Sequence, residues 1–391
     1  MISALITWAL VAAGFSAMAL LRVTRRAAPL RVESAARAAR AAIEASATSA
    51  AANSSANAAA AANAIDSVLV IRPLDAPADH ELRALCESLH LGAGVRQFVT
   101  SPVRPTGLPP ELGWLRSDPT TSNRKVGHVL NALAALGELP ADAVVLCIDA
   151  DVVADESLVR ALTAAIHDGA CAASAAPIPP PGQSLASLCT RGLLVQSHHS
   201  FVALDAMQLG AKAICGKALA LSSDAIHEWR KLEAVVGEDL ELSKALHARG
   251  RSVTVVAVQA RVTQSPLLTM GAVVDRFTRW MQVLRAHRAP LFPTVPLLFA
   301  PTPVLVILCA ICGSPALAAA TTLLVLSRFA LANRLEDRPF GLRFEWFLAE
   351  LLLVLCWGRS LFLGRQVTWR GRQYRLGSGG HLTPLTPEQL T

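Results

Sequence analysis

Two carboxylates set two residues apart, Asp149 and Asp151, follow directly on the apolar run Val144-Val145-Leu146-Cys147-Ile148. A short run rich in β-branched residues reads as a buried parallel strand, and open α/β sheets bind ligands beyond the carboxyl ends of such strands. Both acids can reach one hard divalent cation there, and such a cation can carry a substrate diphosphate. The plainer alternative is that they cap the helix that begins near Asp155. Lys125 stands at the start of a helix opened by Asn123-Arg124, where an ammonium is either a solvated surface group or a contact to phosphate or base. Gly237-Glu238-Asp239 precedes another helix. An acid in that position is a cap, or a base that the helix N-terminus keeps ionised by lowering its pKa. Arg276, Arg279 and Trp280, spaced i, i+3 and i+4, share one stripe of a helix over Val273 to Arg288. Guanidinium forks suit a diphosphate and the indole suits a sugar face or a membrane interface, although a plain basic interfacial helix has the same pattern. Ser197-His198-His199 and Ile214-Cys215-Gly216-Lys217 lie between these sets; a histidine pair with no third ligand nearby does not make a metal site.

Positioning these groups requires strands and helices in alternation. Ser67 to Ile71, Val95 to Thr100, Cys171 to Ala176 and Ser252 to Val258 read as further strands, and Leu158, Val159, Leu162 and Ile166 mark an amphipathic helix after Asp151. The expected architecture is a doubly wound, mostly parallel α/β sheet with right-handed crossovers.

With 53% hydrophobic residues in 391 and a positive mean hydropathy, the chain reads as a membrane protein. Residues 1–26 are expected to be a transmembrane anchor, Met1 to Leu21 followed by Arg22, Arg25 and Arg26, with its N-terminus outside. Residues 27–65 are an Ala-rich, low-complexity insert with almost no large apolar side chain to dock. A catalytic domain over 66–262 and an interfacial helix over 263–290 follow. Leu291 to Cys312 and Pro315 to Leu331, joined by Gly313-Ser314, read as a transmembrane hairpin. The third apolar stretch is interrupted by Glu350 and Arg359, which leave only Leu351 to Gly358 uncharged, so a re-entrant or interfacial segment is expected within 291–364. A basic tail over 365–391, with Arg365, Arg370, Arg372 and Arg375, belongs on the inner side. Eight scattered cysteines make neither a disulfide framework nor a zinc site, and the formal charge of +7 forms no stripe of the kind that binds nucleic acid.

Taken together, Asp149-Ala150-Asp151, Gly237-Glu238-Asp239 and Arg276-Phe277-Thr278-Arg279-Trp280 occur in the order that marks membrane-bound inverting glycosyltransferases with a GT-A fold. Within that group the chain resembles the ceramide glucosyltransferases. The narrower likeness rests on the arginine that opens RxxRW, on Asn123 and Lys125 before the strand with the acids, on Ser197-His198, and on the tail motif Thr368 to Leu376. It covers roughly Val68 to Gly380. The resemblance implies a divalent cation, Mg2+ or Mn2+, on Asp149 and Asp151, with Asp239 as general base. It implies nucleotide-sugar contacts from Lys125, Asp149, Arg276, Arg279 and Trp280, and a donor or acceptor pocket with His198, Gly216 and Glu238. The expected reaction moves glucose from UDP-glucose to ceramide or a similar lipid, at a bacterial inner membrane with the catalytic domain in the cytoplasm. Transfer of an N-acetylhexosamine to a hopanoid or other lipid, or an inactive membrane scaffold, are the alternatives. In one respect the chain departs from the family pattern. The acid that the family carries at the end of its second strand, against the uridine, is replaced here by Ser101, with Asp118 the nearest acid.

Overall fold

The computed structural model describes residues 1–21, 68–140, 142–180, 182, 184–206, 212, 214–335, 344–369 and 371–385; for 196–206 and 335 it gives the helix path without side chains. The Ala-rich insert and Arg22, Arg25, Arg26 and Arg370 lie outside the described residues. An N-terminal helix α1 (Ile2–Leu21) comes first. The α/β region then runs β1 (Val68–Pro73), α2 (Asp79–Cys86), β2 (Val95–Ser101), β3 (Gly113–Arg116), α3 (Arg124–Leu136), β4 (Val144–Ile148), β5 (Val152–Val153) and α4 (Glu156–His167). It continues through β6 (Ala172–Ser174), β7 (Pro177–Ile178), α5 (Leu185–Ala206), β8 (Ala218–Leu221), α6 (Ser223–Trp229), α7 (Glu238–Ala248), β9 (Val253–Val255) and β10 (Ala260–Val262).

Among the described residues, seven strands form one sheet in the order β3-β2-β1-β4-β8-β6-β9. β1 pairs in parallel with β2 and β4, as β2 does with β3 and β6 with β9. The reversed strand is β8, antiparallel to β4 and β6. Leu69, Ile71, Val145 and Cys147 point to a face covered by Val126 and Val129 of α3 and by Leu242 and Leu246 of α7. Val68, Val70, Leu146 and Ile148 point to the other, covered by Leu158 and Leu162 of α4. Burial on both faces is why β1 and β4 are continuous apolar runs instead of alternating ones. The reversal of β8 matters for the site. Because Ile148 stands opposite Ala218, the residues leaving β4 lie beside those entering β8, which brings Gly216 and Lys217 to Asp149 and Asp151.

The C-terminal part consists of α8 (Met270–His287), α9 (Thr302–Cys312), α10 (Pro315–Leu335), α11 (Glu345–Phe362) and a three-stranded antiparallel sheet, β11 (Gln366–Trp369), β12 (Arg372–Leu376) and β13 (Leu382–Pro384). One apolar core joins Phe15 of α1, Leu193 of α5, Phe277 of α8, Leu331 of α10 and Cys356 of α11. Helix α8 is thus packed among the apolar helices on one side while its start follows the α/β region. By length and composition α1 and α10 could each cross a membrane.

Three C-terminal segments take a form that hydropathy alone did not define. Leu291 to Cys312 is not one helix: a 3-10 turn, a π-turn over Val295–Phe299 and the 11-residue α9 replace it. Pro293, Pro296, Pro301 and Pro303 remove the amide donors that a continuous helix needs. The third apolar stretch, in contrast, is one helix of 18 residues. Its Glu350 does not interrupt it, because the buried carboxylate pairs with Arg328 of α10 at 3.1 Å and accepts the Thr302 N–H at 2.9 Å. The segment expected to be a tail is folded over residues 366–384. Val367, Tyr374, Leu376 and Leu382 pack against Val236 and Val283, while Gln373 and Arg375 point outward in alternation with Tyr374 and Leu376, the period of a strand.

Candidate active site

The turn that carries the two acids is built around a buried arginine. Arg72, in β1 and with no solvent exposure, donates to the carbonyls of Asp149 (3.2 Å), Ala150 (3.3 Å) and Val152, and to Gln97 Oε1 at 3.1 Å. Burial lowers its pKa to about 10, with Asp151 and Asp149 acting the other way, so it stays protonated at neutral pH. Its guanidinium serves the backbone and leaves the carboxylates of Asp149 and Asp151 to other partners.

Those partners are two lysines. Lys125, in the first turn of α3, lies 2.9 Å from Asp149 Oδ1 and 3.2 Å from Glu238 Oε1, and it donates to the Gly216 carbonyl. Burial opposes its charge, yet Asp149 and Glu238 hold its pKa well above the usual lysine value. Asn123 caps the same helix through the Val126 N–H and donates to Val235 O (2.6 Å) and Glu238 Oε2 (3.2 Å). One residue therefore fixes the start of α3 against the start of α7. Lys217, just before β8, sits 3.0 Å from Asp149 Oδ2 and 2.6 Å from Asp151 Oδ2. Although burial opposes ionisation of Asp149, Lys125 and Lys217 together hold its carboxyl well below the usual range.

Asp239 stands on the other side of Gly216. The Gly216 N–H donates to Asp239 Oδ2 at 2.7 Å, and the Leu240 N–H donates to Oδ1 at 2.9 Å. These are stabilising contacts for a carboxylate, but the pKa moves the opposite way from the sequence expectation. Burial, reinforced by the charge of Glu238, pushes it up to about 7. Desolvation and a like charge outweigh the helix N-terminus at this partly buried position. A side chain at position 216 would have its Cβ within 3.1 Å of Lys125 Nζ, 3.2 Å of Glu238 Oε1 and 3.3 Å of Asp239 Oδ2, so any larger residue would have to push these groups apart by a few tenths of an ångström. Gly237, at φ +73°, turns the chain into α7 where a Cβ would come within 2.8 Å of Val283 and 2.9 Å of His287. The folded C-terminus holds this turn from outside: Val236 N–H donates to Gly380 O, and Leu382 N–H donates to Ala234 O.

Arg276, Arg279 and Trp280 lie half-buried on α8. Arg276 is within 5.6 Å of the Trp280 ring and 5.8 Å of the Phe277 ring, and Arg279 donates to Thr368 O of β11. Arg276 is also close enough to Lys217 to oppose its charge. His198 belongs to α5, but its side chain lies outside the described residues. At the end of β2, buried Ser101 accepts from Trp114 Nε1 at 2.9 Å, and Asp118 is exposed and paired with Arg124 at 2.7 Å. A carboxylate does stand beside this strand end: Asp75, after β1, accepts from Arg124 Nε (2.7 Å) and is 2.9 Å from His128 Nε2.

Asp149 and Asp151 are the residues here that could hold a divalent cation. Both approach a single positive centre, the Lys217 ammonium, within 3.0 Å, so their oxygens converge as a shared cation requires. Among the described residues no group of three or more His, Cys, Asp or Glu side chains comes together as a metal cage. Magnesium-like ions in phosphate chemistry take one or two carboxylates and complete their shell with phosphate oxygens and water, which suits a two-acid site.

No curated protein sequence matches this chain. Among solved structures, a mycobacterial protein is similar over 61% of this chain and 80% of its own, at 11% identity and a TM-score of 0.38. Glucosyl-3-phosphoglycerate synthase from Mycobacterium tuberculosis, in complex with Mn2+, UDP and phosphoglyceric acid, is similar over 57% of this chain and 80% of its own, at 12% identity and a TM-score of 0.35. Its complex with Mn2+, UDP-glucose and phosphoglyceric acid gives 13% identity and 0.36 over the same shares. Residues 114–382, well over half of the chain and including both acids, the Gly237-Glu238-Asp239 turn and the α8 arginines, match glycosyl transferase family 21, and the chain belongs to that family.

Proposed function

We propose that the protein transfers glucose from UDP-glucose to the hydroxyl of ceramide or a similar long-chain lipid, in one displacement that inverts the anomeric carbon. The observation that carries this reading is the join at Gly216. Its carbonyl accepts from Lys125, which binds Asp149, and its N–H donates to Asp239, so the lysine–aspartate cluster and a partly buried carboxylate with a pKa of about 7 share one residue. A base poised near the working pH combines adequate ionisation with real proton affinity. In the reaction, Asp239 takes the proton of the lipid hydroxyl as that oxygen forms its bond to C1, and the C1–oxygen bond to the diphosphate breaks with its electron pair leaving on UDP. Lys125, Lys217 and Arg276 bring positive charge to the face where that negative charge grows. A divalent cation held by Asp149 and Asp151, when bound, supplies further charge stabilisation to the diphosphate.

The acceptor side of the proposal rests on α8. Arg276, Arg279 and Trp280 ride on a helix whose Phe277 and Met281 belong to the same apolar core as α1, α10 and α11. We assign α1 and α10 to the membrane and α8 to its inner surface, so that a lipid hydroxyl can reach Asp239 without leaving the bilayer. In this assignment 66–262 is the catalytic domain, and the sheet over 366–384 is part of the catalytic unit. The test is a panel of UDP-sugars against ceramide, diacylglycerol and a hopanoid, with purified full-length protein and mass detection of the lipid product. Glucosylceramide as the main product is expected; N-acetylhexosaminyl product alone moves the reading to the other donor, and no UDP release with any pair overturns it.

A further inference from the structure

Lys217 has no place in the motifs that identify the family-like site, yet its contacts to the two acids include a shorter one than Lys125 makes to Asp149. Its ammonium touches Asp151 through both oxygens, at 2.6 and 2.8 Å, and Asp149 at 3.0 Å. The antiparallel β4–β8 pairing fixes its main chain, since the Asp149 N–H donates to Lys217 O at 2.9 Å. Only the side chain is left to move. Lys125 differs in this respect: Glu238 and the Gly216 carbonyl hold it in addition to Asp149, and its side chain is 8% exposed against 15% for Lys217. Lys217 thus occupies the point on which both acids converge. Arg276, half-buried on α8, lies near enough to repel it, so an anion arriving between Lys217 and Arg276 is drawn by both.

We propose that Lys217 is the resident counter-ion of the Asp149–Asp151 pair: in the nucleotide-free protein it occupies their oxygens against a divalent cation, and it turns to the diphosphate when nucleotide and cation arrive. The inference rests on the donor site proposed above. A cation entering the free protein must displace a bound ammonium, and the cost of displacement subtracts from its affinity. A diphosphate gives the ammonium a new partner and removes that cost. Cation and nucleotide therefore bind with positive coupling, and by linkage each raises the affinity of the other to the same degree.

The measurement is Mn2+ binding to purified full-length protein, read by the electron paramagnetic resonance signal of free Mn2+ with and without UDP. Lys217→Met removes the competitor, so Mn2+ binds the UDP-free variant about tenfold more tightly than it binds the wild type. The gain in Mn2+ affinity on adding UDP shrinks in the same variant. Lys217→Gln gives a second, neutral reading of the effect, and Lys217→Arg keeps the charge and should stay close to wild type. Unchanged or weaker Mn2+ binding to UDP-free Lys217→Met and Lys217→Gln overturns the counter-ion role alone. Absence of Mn2+ binding to the wild type even with UDP overturns the donor site on which it depends.

Discussion

Asp239→Asn is expected to lower turnover by about a thousandfold while UDP affinity stays close to wild type, because general-base catalysis supplies on the order of 10²–10⁴ in rate. The asparagine keeps the size of the side chain and can still accept one of the two backbone N–H groups, so the donor cluster around Asp149 and Lys125 is left in place. Wild-type kcat/KM should fall as pH drops below about 7, by about tenfold per unit, as the base becomes protonated. The same shift has a stability consequence of opposite sign. A carboxyl whose folded pKa is raised favours the protonated native state, so its stabilising contribution is present at low pH and is lost as pH rises through the folded value near 7. Removing the charge in Asp239→Asn therefore raises the melting temperature relative to wild type at pH 8, with the difference shrinking toward pH 5. An active variant, or one with a lower melting temperature at pH 8, contradicts the account of this residue.

Asp149→Asn acts in the other direction on both counts. Asp149 is the acid that both lysines share, and its pKa is held well below the usual range by them. Its removal leaves Lys125 with Glu238 and Lys217 with Asp151, each ammonium short of one partner in an enclosed site. Destabilisation of about 2 kcal/mol is expected from uncompensated buried charge, below the full cost of breaking an isolated pair because the second acids remain. UDP affinity in the presence of Mn2+ should fall by about a hundredfold, as a two-acid site loses half of its protein ligands. Calorimetric titration with UDP, paired with thermal unfolding, reads both effects. UDP affinity unchanged from wild type removes Asp149 from the donor site. Asp239→Asn and Asp149→Asn thus separate base from donor by opposite shifts in stability, which a shared folding defect cannot produce.

How far these residues could be read from the sequence followed from how local each feature is. The β4 strand with its terminal acids, the helix starts at Asn123 and near Asp155, and the helix bearing Arg276 and Arg279 are set by short-range patterns, and the structure has them at the expected positions. The mostly parallel sheet follows from the alternation of those elements. The reversed strand β8 does not: Ala218-Leu219-Ala220-Leu221 has no β-branched residue to mark it as a strand and nothing to fix its direction, and Lys217 went unassigned for that reason. A lysine acquires its meaning there only once β8 is laid against β4. The direction of the Asp239 shift was misjudged from its local position at a helix start, where the deciding effects are burial and Glu238. The partner of Glu350 was equally out of reach, because Arg328 belongs to a neighbouring helix that only packing brings beside it. In the tail, counting arginines hid the alternation of Tyr374 and Leu376 that makes a strand. The broken stretch after Leu291 is legible in the sequence, because four prolines within 11 residues preclude a continuous helix whatever its hydropathy. Asp75 beside Ser101 was out of reach, because register places it: Pro73 pairs with Thr100, so the residues after each strand end side by side.

The central claim is that Asp239 deprotonates a lipid hydroxyl that attacks C1 directly, with no covalent sugar–enzyme stage. The anomeric configuration of the glycolipid made from UDP-glucose by the purified full-length protein tests it most directly, read from the C1 proton coupling by nuclear magnetic resonance. A single displacement on the α-linked donor yields the β-glycoside. An α-linked product contradicts the account.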